Sequence, residues 1–444
     1  MRQVKNIVIG FGKAGKTLAK TLASKNEEVV IIEESEQMYG GTCINVGCIP
    51  SKSLIENAKK GYTFEEAVVI KEGLTTKLRN KNFHMVADEA TAEVMNGQAT
   101  FVSNKVIQVT LPNGEVEELE GKRIFINTGA TSVIPSIPGA VLSERIVTSK
   151  EIMNLSQLPK SLTIIGGGYI GLEFASMFAK YGSKVTVLDS KEVFLPREES
   201  EVSDLIWEDL KQLGVNIKLK TSISEIKEMK DFVEVSFEEE SGSNKKIQSD
   251  VVLLATGRVP NINNLGLENT EIELNSRKGI QVDDQLKTTV PNVWAMGDVT
   301  GGLQFTYVSL DDFRIISDQL FGMNQRRVSD RKVVPYTVFI NPPLSRVGLT
   351  EKEAAASGLN YHAYKLLTAG VPKANVLQSP QGMFKIIVNK DNHEILGATI
   401  YAEASHEIIN LVTLAMTAHL PFEMLRDQLY THPTMAEALN DVLK

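Results

Sequence analysis

The stretch from Asn6 to Ser35, NIVIGFGKAGKTLAKTLASKNEEVVIIEES, decides the fold. Apolar runs over 7–9 and 29–32 predict two buried strands, and the pattern over 16–24 predicts the helix between them. A strand, a helix and a second strand in this order form one βαβ unit of a parallel sheet. The sequence therefore predicts an α/β fold.

Glycines at the first junction between strand and helix indicate a ligand. Gly10, Gly12 and Gly15 stand in G-x-G-x-x-G spacing, and the acid Glu33 ends the second strand. The first glycine permits a tight turn, the second lets the backbone approach a pyrophosphate, and the third allows close packing of helix and strand. Because Glu33 can accept hydrogen bonds from a ribose, we predict a dinucleotide site here.

The same pattern recurs from Ser161 to Ser190, SLTIIGGGYIGLEFASMFAKYGSKVTVLDS. Gly166, Gly168 and Gly171 follow a predicted strand, and Asp189 ends the next one. The first glycine and the closing acid are 23 positions apart in both copies, from 10 to 33 and from 166 to 189. Two matches with equal intervals predict two dinucleotide sites.

Asp189 also bears on which nicotinamide nucleotide the second site binds. An acid at this position bonds the 2′-hydroxyl of NADH, whereas the 2′-phosphate of NADPH prefers a nearby Arg. We therefore favour NADH. Lys191 lies close enough in sequence to assist a phosphate, so NADPH remains open.

The composition is that of an ordinary globular chain. Among the 444 residues 42% are hydrophobic and 23% are charged, with a net charge of −8. There is no Lys/Arg block of the nucleic-acid-binding type and no apolar run near the ~20 residues that cross a bilayer. The start, MRQVKNIVIGFG, enters a strand without a signal-peptide pattern. We predict a cytoplasmic protein of about three domains that binds neither nucleic acid nor membrane.

The only two cysteines, Cys43 and Cys48, lie in GGTCINVGCIPSK at 40–52. Positions five apart on a regular helix are about 8.6 Å apart at Cα, beyond the roughly 4.4–6.8 Å of a disulfide, so a loop or a distorted first turn is needed. We predict no metal site, because zinc would need a second Cys or His pair. Two buried thiols remain an alternative, but the surrounding glycines and the cytoplasmic setting favour catalysis.

Two Rossmann-like units with a C-x4-C pair soon after the first resemble the flavoprotein (pyridine nucleotide-disulfide) oxidoreductases, which include glutathione reductase, dihydrolipoamide dehydrogenase and mercuric reductase. The likeness spans the chain. INTGA (126–130) and LLATGRVPN (253–261) resemble the two crossings between the nucleotide-binding domains, VWAMGDVTGG (293–302) resembles the second flavin motif, and THPTMAEALND (431–441) resembles the C-terminal His-Pro segment. The resemblance implies an α/β fold with two Rossmann-like nucleotide-binding domains and a C-terminal α+β dimerisation domain. The implied domains are an FAD-binding domain split into 1–145 and 253–325, an inserted NAD(P)-binding domain at 146–252, and an interface domain at 333–444.

By this resemblance the first site holds FAD and the second holds NADH or NADPH. The implied FAD residues are Gly10, Gly12, Gly15, Glu33, Thr42, Lys52, Thr128, Gly129 and Asp298, the last of which bonds the ribityl chain. The implied NAD(P)H residues are Gly166, Gly168, Tyr169, Gly171, Asp189 and Gly257. Tyr169 would gate the nicotinamide pocket, and helix packing is the alternative for it.

The resemblance also implies the catalytic residues. Reduced flavin would open a Cys43–Cys48 disulfide, in which Cys48 is the charge-transfer thiolate nearer the flavin and Cys43 is the interchange thiol that attacks substrate. A helix that begins at Cys48 would lower a thiol pKa at its N-terminus. Lys52 would lie against the flavin with Glu173 as its partner, and two unrelated surface charges are the alternative.

A histidine completes the implied site. His432 would act as general acid/base, stabilise the Cys43 thiolate and come from the second subunit, so that catalysis requires a homodimer. Glu437 would orient it, but TMAE from Thr434 also has the form of a capping box. The bond from His432 to Pro433 is a candidate for the cis form.

Within the family, MYGGTCINVGCIPSK, QFTYVSLDDFRI and PPLSRVGLTE resemble most the reactive-chlorine-resistance or hypothiocyanous acid reductase branch, often labelled mercuric-reductase-like. Glutathione and lipoamide enzymes generally have small uncharged residues where this chain has Asp311, Asp312 and Arg314, to which we assign no role. We expect reduction of a small thiol-reactive oxidant such as hypothiocyanous acid. The alternatives are reduction of glutathione disulfide or lipoamide, reduction of a metal ion, and a flavin-containing binding module without turnover.

Overall fold

The structure, a computed structural model, describes residues 1–444. Its strands, numbered β1 to β22 in chain order, are Arg2–Ile9, Val29–Glu33, Ala92–Asn96, Gln98–Phe101, Val106–Thr110, Val116–Ile126, Ala130–Ser132, Ile146–Val147, Ser161–Ile165, Lys184–Leu188, Asn216–Lys218, Ser222–Glu228, Val233–Glu238, Asn244–Ser249, Val251–Leu254, Arg258–Pro260, Val293–Ala295, Tyr336–Val338, Leu344–Gly348, Tyr361–Leu367, Met383–Asn389 and Ile395–Tyr401. Its α-helices, α1 to α12, are Lys13–Ser24, Thr42–Asn45, Cys48–Lys59, Phe64–Ala87, Tyr169–Tyr181, Ser200–Gln212, Thr306–Phe321, Glu351–Ala356, Pro372–Val376, Ser405–Thr417, Glu423–Arg426 and Ala438–Val442. No helix is long and apolar enough to cross a bilayer.

The chain divides into two compact units. Unit 1 comprises Met1–Val133, Ser149–Gln157 and Gly257–Asp330, and unit 2 comprises Ile134–Thr148, Leu158–Thr256 and Arg331–Lys444. The three predicted domains are a finer division than these two units, and their boundaries remain predictions.

Unit 1 is built on a seven-stranded sheet in the order β3-β2-β1-β6-β5-β4, with β17 also paired to β6. The pairs β1–β2, β1–β6, β2–β3 and β6–β17 are parallel. The central strands are apolar on both faces because both faces are covered, as parallel sheets require. Helix α1 packs Leu18 and Leu22 on one face, against Val8 and Ile31 of the sheet.

Unit 2 contains three sheets. A five-stranded sheet in the order β11-β10-β9-β15-β8 is parallel throughout. A three-stranded antiparallel sheet, β12-β13-β14, and a five-stranded sheet in the order β18-β19-β22-β21-β20 complete the unit. The last of these packs with α10 and α12 around a core of apolar side chains that includes Phe384, Ile400 and Val412.

The two parallel sheets carry the same strand-to-helix turn. A Cβ atom on Gly15 would overlap the carbonyl oxygen of Gly10, and one on Gly171 would overlap that of Gly166. Only glycine permits this approach, which brings α1 and α5 onto their sheets. The prediction of an α/β fold with two Rossmann-like units and a C-terminal α+β domain is confirmed.

Candidate active site

The two cysteines lie on either side of a break between two helices. Cys43 belongs to the short helix α2, and Cys48 is the first residue of α3. Val46 ends α2, and Gly47 lies between the two helices. A Cβ atom on Gly47 would lie 2.9 Å from the carbonyl oxygen of Thr42, so this break in the backbone favours glycine. The helix predicted to begin at Cys48 is confirmed. Because the break interrupts the helix between the cysteines, the Cα distance of a regular helix, which is too long for a disulfide, does not apply to this pair.

This segment rests directly on the first glycine turn. Gly41 has φ +75°, and a Cβ there would lie 2.6 Å from the Cα of Gly12. The Gly40 amide donates to the carbonyl oxygen of Phe11 at 3.2 Å. Any larger residue at 41 would push Thr42 and Cys43 off α1, so the cysteine segment has a fixed position on the predicted FAD turn.

The two thiols share their surroundings. The structure holds Cys43 half-buried and Cys48 exposed, both as thiols. The hydrogen bond with Cys48, together with burial, raises the pKa of Cys43. The hydroxyl of Thr306, at the start of α7, lies 3.7 Å from the Cys48 sulfur and also hydrogen-bonds Cys43, which opposes that rise. The proton of the pair is therefore held on Cys43, which must lose it before it can attack as a thiolate, the reactive form.

A buried lysine that the sequence reasoning missed stands beside Cys43. Lys16, on the first turn of α1, is 4% exposed, and its ammonium donates to the side-chain oxygen of Asn82 on α4. Burial lowers the pKa of Lys16 to about 8, and the Cys43 charge opposes that shift. The same interaction lowers the pKa of Cys43. Lys16 thus supplies a cation to the Cys43 thiolate.

We expect Lys16→Met to slow the reaction of Cys43 with iodoacetamide at pH 7. Loss of the cation raises the pKa of Cys43 further and lowers its thiolate fraction, so we expect the rate to fall about three- to tenfold. The rate is measured on the reduced protein by mass spectrometry of the alkylated peptide. Lys20→Met, an exposed position on the same helix, is the matched control. Equal rates for Lys16→Met and wild type would remove Lys16 from this role.

Glu33 is held at the edge of the first glycine turn. Its carboxylate accepts from the Phe11 amide at 2.9 Å and from the Ser35 amide at 3.3 Å. Burial raises the pKa of Glu33 to about 7, although these amides oppose the shift. The carboxylate therefore lies at the end of β2, beside the turn, as the predicted ribose contact requires.

Asn127 connects the first glycine turn to the predicted second flavin motif. Its side-chain oxygen accepts from the Gly15 amide at 2.9 Å, and its side-chain nitrogen donates to the Met296 carbonyl at 2.7 Å. The next turn carries Asp298, whose pKa burial raises while Arg258 opposes the shift. Asn127 lies within INTGA, but the spacing of motifs along the chain does not predict that this stretch contacts VWAMGDVTGG.

Asp312, one of the charged residues that set this chain apart, supports the same turn. It is 2% exposed and accepts from the Gly297 amide at 2.6 Å. Its charge adds to the rise in the pKa of Asp298. Asp311 instead pairs with Arg326 at 2.8 Å, near the end of unit 1.

The two stretches that the resemblance assigned to domain crossings lie side by side in unit 1. Strands β7 and β16 pair antiparallel. The Thr128 hydroxyl donates to the carbonyl of Asn261 at 2.7 Å, and the Asn261 amide donates to the carbonyl of Gly129 at 2.9 Å. Gly257 has φ +115° and accepts from the Val133 amide at 3.0 Å.

The second glycine turn, in unit 2, leads into α5. A Cβ on Gly168 would meet nothing within 4 Å, so the backbone there is open. Asp189 is 6% exposed and accepts from the Lys191 amide at 3.2 Å. Tyr169, the first residue of α5, stacks on Tyr336 with ring centroids 5.6 Å apart. These residues lie where the resemblance expects a nicotinamide nucleotide.

Lys52 and Glu173 lie in different units. Lys52 is half-buried on α3, one turn after Cys48. Glu173, on α5, accepts from the Phe339 amide at 2.8 Å through Oε1. Their partnership remains a prediction.

His432 and Glu437 are in contact in unit 2. His432 Nδ1 lies 2.9 Å from Glu437 Oε2, and 72% of the His432 side chain is exposed. The Glu437 amide donates to the Thr434 hydroxyl at 3.3 Å, which is half of the capping box, while its carboxylate turns to the histidine. Glu437 therefore makes both contacts, and its role in orienting a catalytic His432 remains a prediction. The His432–Pro433 bond is cis, as predicted.

The chain is similar to known proteins over its whole length. The family model described as pyridine nucleotide-disulphide oxidoreductase matches residues 4–312, and the dimerisation domain of the same family matches residues 334–443. The chain belongs to the pyridine nucleotide-disulphide oxidoreductase family. It is accordingly a pyridine nucleotide-dependent flavoprotein disulfide oxidoreductase, with a dimerisation domain at its C-terminal end.

Two relatives, and a solved structure of one of them, place the chain within the family. It is 47% identical, over 100% of this chain and 99% of the relative, to the probable pyridine nucleotide-disulfide oxidoreductase RclA of Escherichia coli K12. The mercuric reductase of Bacillus cereus is 33% identical over 98% of this chain and 70% of its own length. A solved structure described as a Cu(II) complex of the HOCl-induced flavoprotein disulfide reductase RclA from E. coli has a TM-score of 0.96 at 47% identity and covers 100% of this chain and 99% of its own.

The family implies FAD and NAD(P)H, and both glycine turns fit a dinucleotide. Gly12 and Gly168 are the N-cap residues of α1 and α5, and neither helix has a side-chain cap. Their first amides are therefore available to a pyrophosphate, which a helix N-terminus favours. Each turn is followed by a strand that ends in an acid, Glu33 or Asp189, placed for a ribose.

Proposed function

We propose that this enzyme reduces a small thiol-reactive oxidant, with hypothiocyanous acid (HOSCN) as the favoured substrate, in cytoplasmic defence against oxidative stress. The observation that carries the proposal is the pair Cys43 and Cys48, set across a helix break with their thiols in hydrogen-bond contact. Two thiols in contact deliver two electrons by forming one disulfide. The likeness to a reductase described as HOCl-induced supports an oxidant as substrate.

The chemistry of the pair balances for HOSCN. FAD, which the first glycine turn would hold, would supply the two electrons of an NAD(P)H hydride to the Cys43–Cys48 disulfide. The Cys43 thiolate then attacks the sulfur of HOSCN, forms an S–S bond and displaces hydroxide, which becomes water on protonation. The Cys48 thiolate attacks the Cys43 sulfur, expels thiocyanate and restores the disulfide. Two thiols and one HOSCN thus give one disulfide, thiocyanate, water and a proton.

The remaining residues have separate tasks in this scheme. His432, oriented by Glu437 at 2.9 Å, supplies the proton to the departing hydroxide. We assign His432 to the Cys43 of the second subunit in a homodimer, which the dimerisation domain supports. Lys52 and Glu173 would form the ion pair beside the flavin. Lys16 and Thr306 stabilise the thiol pair from unit 1.

NADH is the nucleotide that we favour. Asp189 is buried at the end of β10, and its carboxylate would accept from a 2′-hydroxyl. The 2′-phosphate of NADPH at the same place would be repelled by the negative charge of Asp189.

We expect the purified holoenzyme to oxidise NADH with HOSCN at least about tenfold faster than with glutathione disulfide, lipoamide or Cu(II), as kcat/KM. Cu(II) is included because the solved relative is described as its complex. The absorbance of NADH and NADPH is followed in parallel, with thiocyanate alone as the blank.

Each other outcome has a definite meaning. Faster turnover with either disulfide would make the enzyme an organic disulfide reductase, and faster turnover with Cu(II) would make it a metal-ion reductase. A higher kcat/KM for NADPH than for NADH would overturn the assignment of Asp189 and leave the substrate assignment standing.

A further inference from the structure

A buried carboxylate holds the residue predicted to gate the nicotinamide pocket. Glu198 has a fully buried side chain and belongs to unit 2, as do Tyr169 and Tyr336. The hydroxyls of both tyrosines donate to the same oxygen, Glu198 Oε1, with Tyr336 at 2.6 Å. The two hydroxyls are 3.4 Å apart, and the rings are stacked at 28°. Hydrogen bonds to a charged acceptor are about twice as strong as neutral ones.

The surroundings keep this carboxylate in place. Arg346 Nη1 lies 4.0 Å from Glu198 Oε2, beyond hydrogen-bond distance but close enough to offset the buried charge. The neighbouring Glu199 pairs with the buried Lys385 at 2.9 Å, which ties the start of α6 to β21. Burial and the Glu198 charge raise the pKa of Tyr169 to about 12, so its hydroxyl remains a donor.

The position of Tyr169 connects this network to a ligand. Tyr169 is the first residue of α5, directly after the open backbone of Gly168. A pyrophosphate at the N-terminus of α5 directs the nicotinamide arm past that first turn. Glu173, four residues on, shares the helix face of Tyr169 and is the predicted flavin-side residue. Tyr169 therefore lies on the first turn of α5, next to the expected pyrophosphate and on the same helix face as Glu173.

We infer that Glu198 is a positioning residue that latches the Tyr169 side chain across the nicotinamide subsite, so that NADH must break the Tyr169–Glu198 hydrogen bond to bind. This inference rests on the proposed function, in which Tyr169 covers a nicotinamide site. Tyr336 competes with Tyr169 for the same carboxylate oxygen, and it remains on Glu198 when Tyr169 leaves. In the latched state Tyr169 covers the nicotinamide subsite. The apparent affinity for NADH is therefore lowered in proportion to the fraction of molecules in which Tyr169 has left that position.

The test compares two ligands on the oxidised holoenzyme by fluorescence titration. NADH carries the nicotinamide ring, whereas ADP-ribose shares its adenine, pyrophosphate and ribose portions but lacks that ring. We expect Tyr169→Phe to lower the Kd for NADH about three- to tenfold and to leave the Kd for ADP-ribose within about twofold. Glu198→Gln keeps a hydrogen-bond acceptor but removes the charge, so it should also lower the Kd for NADH, by a smaller factor than Tyr169→Phe.

Two further variants make the result specific. Tyr336→Phe leaves Tyr169 as the one tyrosine that donates to Glu198, which strengthens the latch. We therefore expect a higher Kd for NADH, opposite to the change expected for Tyr169→Phe. Tyr181→Phe, at the far end of α5, is the matched control and should change neither ligand. Steady-state kinetics should show the same change, with KM for NADH lowered by Tyr169→Phe.

The outcomes separate this inference from the proposed function. Equal NADH affinity in Tyr169→Phe and wild type, or parallel changes for NADH and ADP-ribose, would overturn the latch. Wild type that binds neither NADH nor NADPH would instead overturn the proposed function. Normal turnover of HOSCN together with an unchanged Kd in every variant would refute the latch alone.

Discussion

Replacing Cys43 with serine should reduce turnover of HOSCN by on the order of a thousandfold or more, while FAD stays bound. Cys43 forms the bond to the oxidant in the proposed scheme, and a serine hydroxyl is neither ionised at neutral pH nor able to form a disulfide. The residues predicted to contact FAD, such as Gly12 and Glu33, are not changed by the substitution. Steady-state NADH oxidation and the ratio of flavin to protein are measured on the same preparation.

Cys48→Ser is the matched variant that separates the two thiols. It retains Cys43, so the reduced protein should consume about one equivalent of HOSCN per subunit and then stop, because no second thiol expels thiocyanate. Reduced Cys43→Ser should consume far less. Sustained turnover by Cys43→Ser would remove Cys43 from its role, and a single reaction in Cys43→Ser with none in Cys48→Ser would reverse the assignment of the thiols.

The sequence predicted the glycine turns because their chemistry is local. The spacing at 10–15 and 166–171, with a strand before and an acid 23 positions on, is enough to specify a βαβ unit. The extent of the elements depends on distant pairing. Strand β1, predicted over 7–9, runs from Arg2 because that residue pairs in register with Leu119 of β6. Helix α1, predicted from 16, begins at Lys13 because residues of the glycine turn already have helical conformation.

The side chains around the thiols were the least predictable part of the site. Thr306 contacts Cys48 from 258 positions away, and Lys16 reaches Asn82 across 66 positions. Such contacts leave no periodic signal in one sequence. The one indication that Lys16 is part of the site was its position directly after the glycine motif, where an apolar residue would otherwise pack. Glu198 had no sign at all, since acids are mostly solvated.

Replacing His432 with alanine should lower kcat/KM for HOSCN by about 10²- to 10⁴-fold, the usual contribution of a general acid or base. The departing hydroxide then takes its proton from water. Glu437→Gln keeps a hydrogen-bonding group beside His432 Nδ1 but removes the charge, so its loss should be smaller, about tenfold. His419→Ala, an exposed histidine of unit 2 that pairs with Glu394, is the matched control and should retain full activity.

Mixing inactive subunits tests where His432 acts. If His432 serves Cys43 of the second subunit, a dimer of one Cys43→Ser chain and one His432→Ala chain has one complete site. Random re-association of equal amounts makes half of the dimers mixed, so about a quarter of wild-type activity should return. If both residues act within one chain, every site lacks one of them and mixing restores nothing. Recovery near a quarter would thus make the homodimer itself the catalytic unit, because neither subunit alone would hold both the attacking thiol and its proton donor.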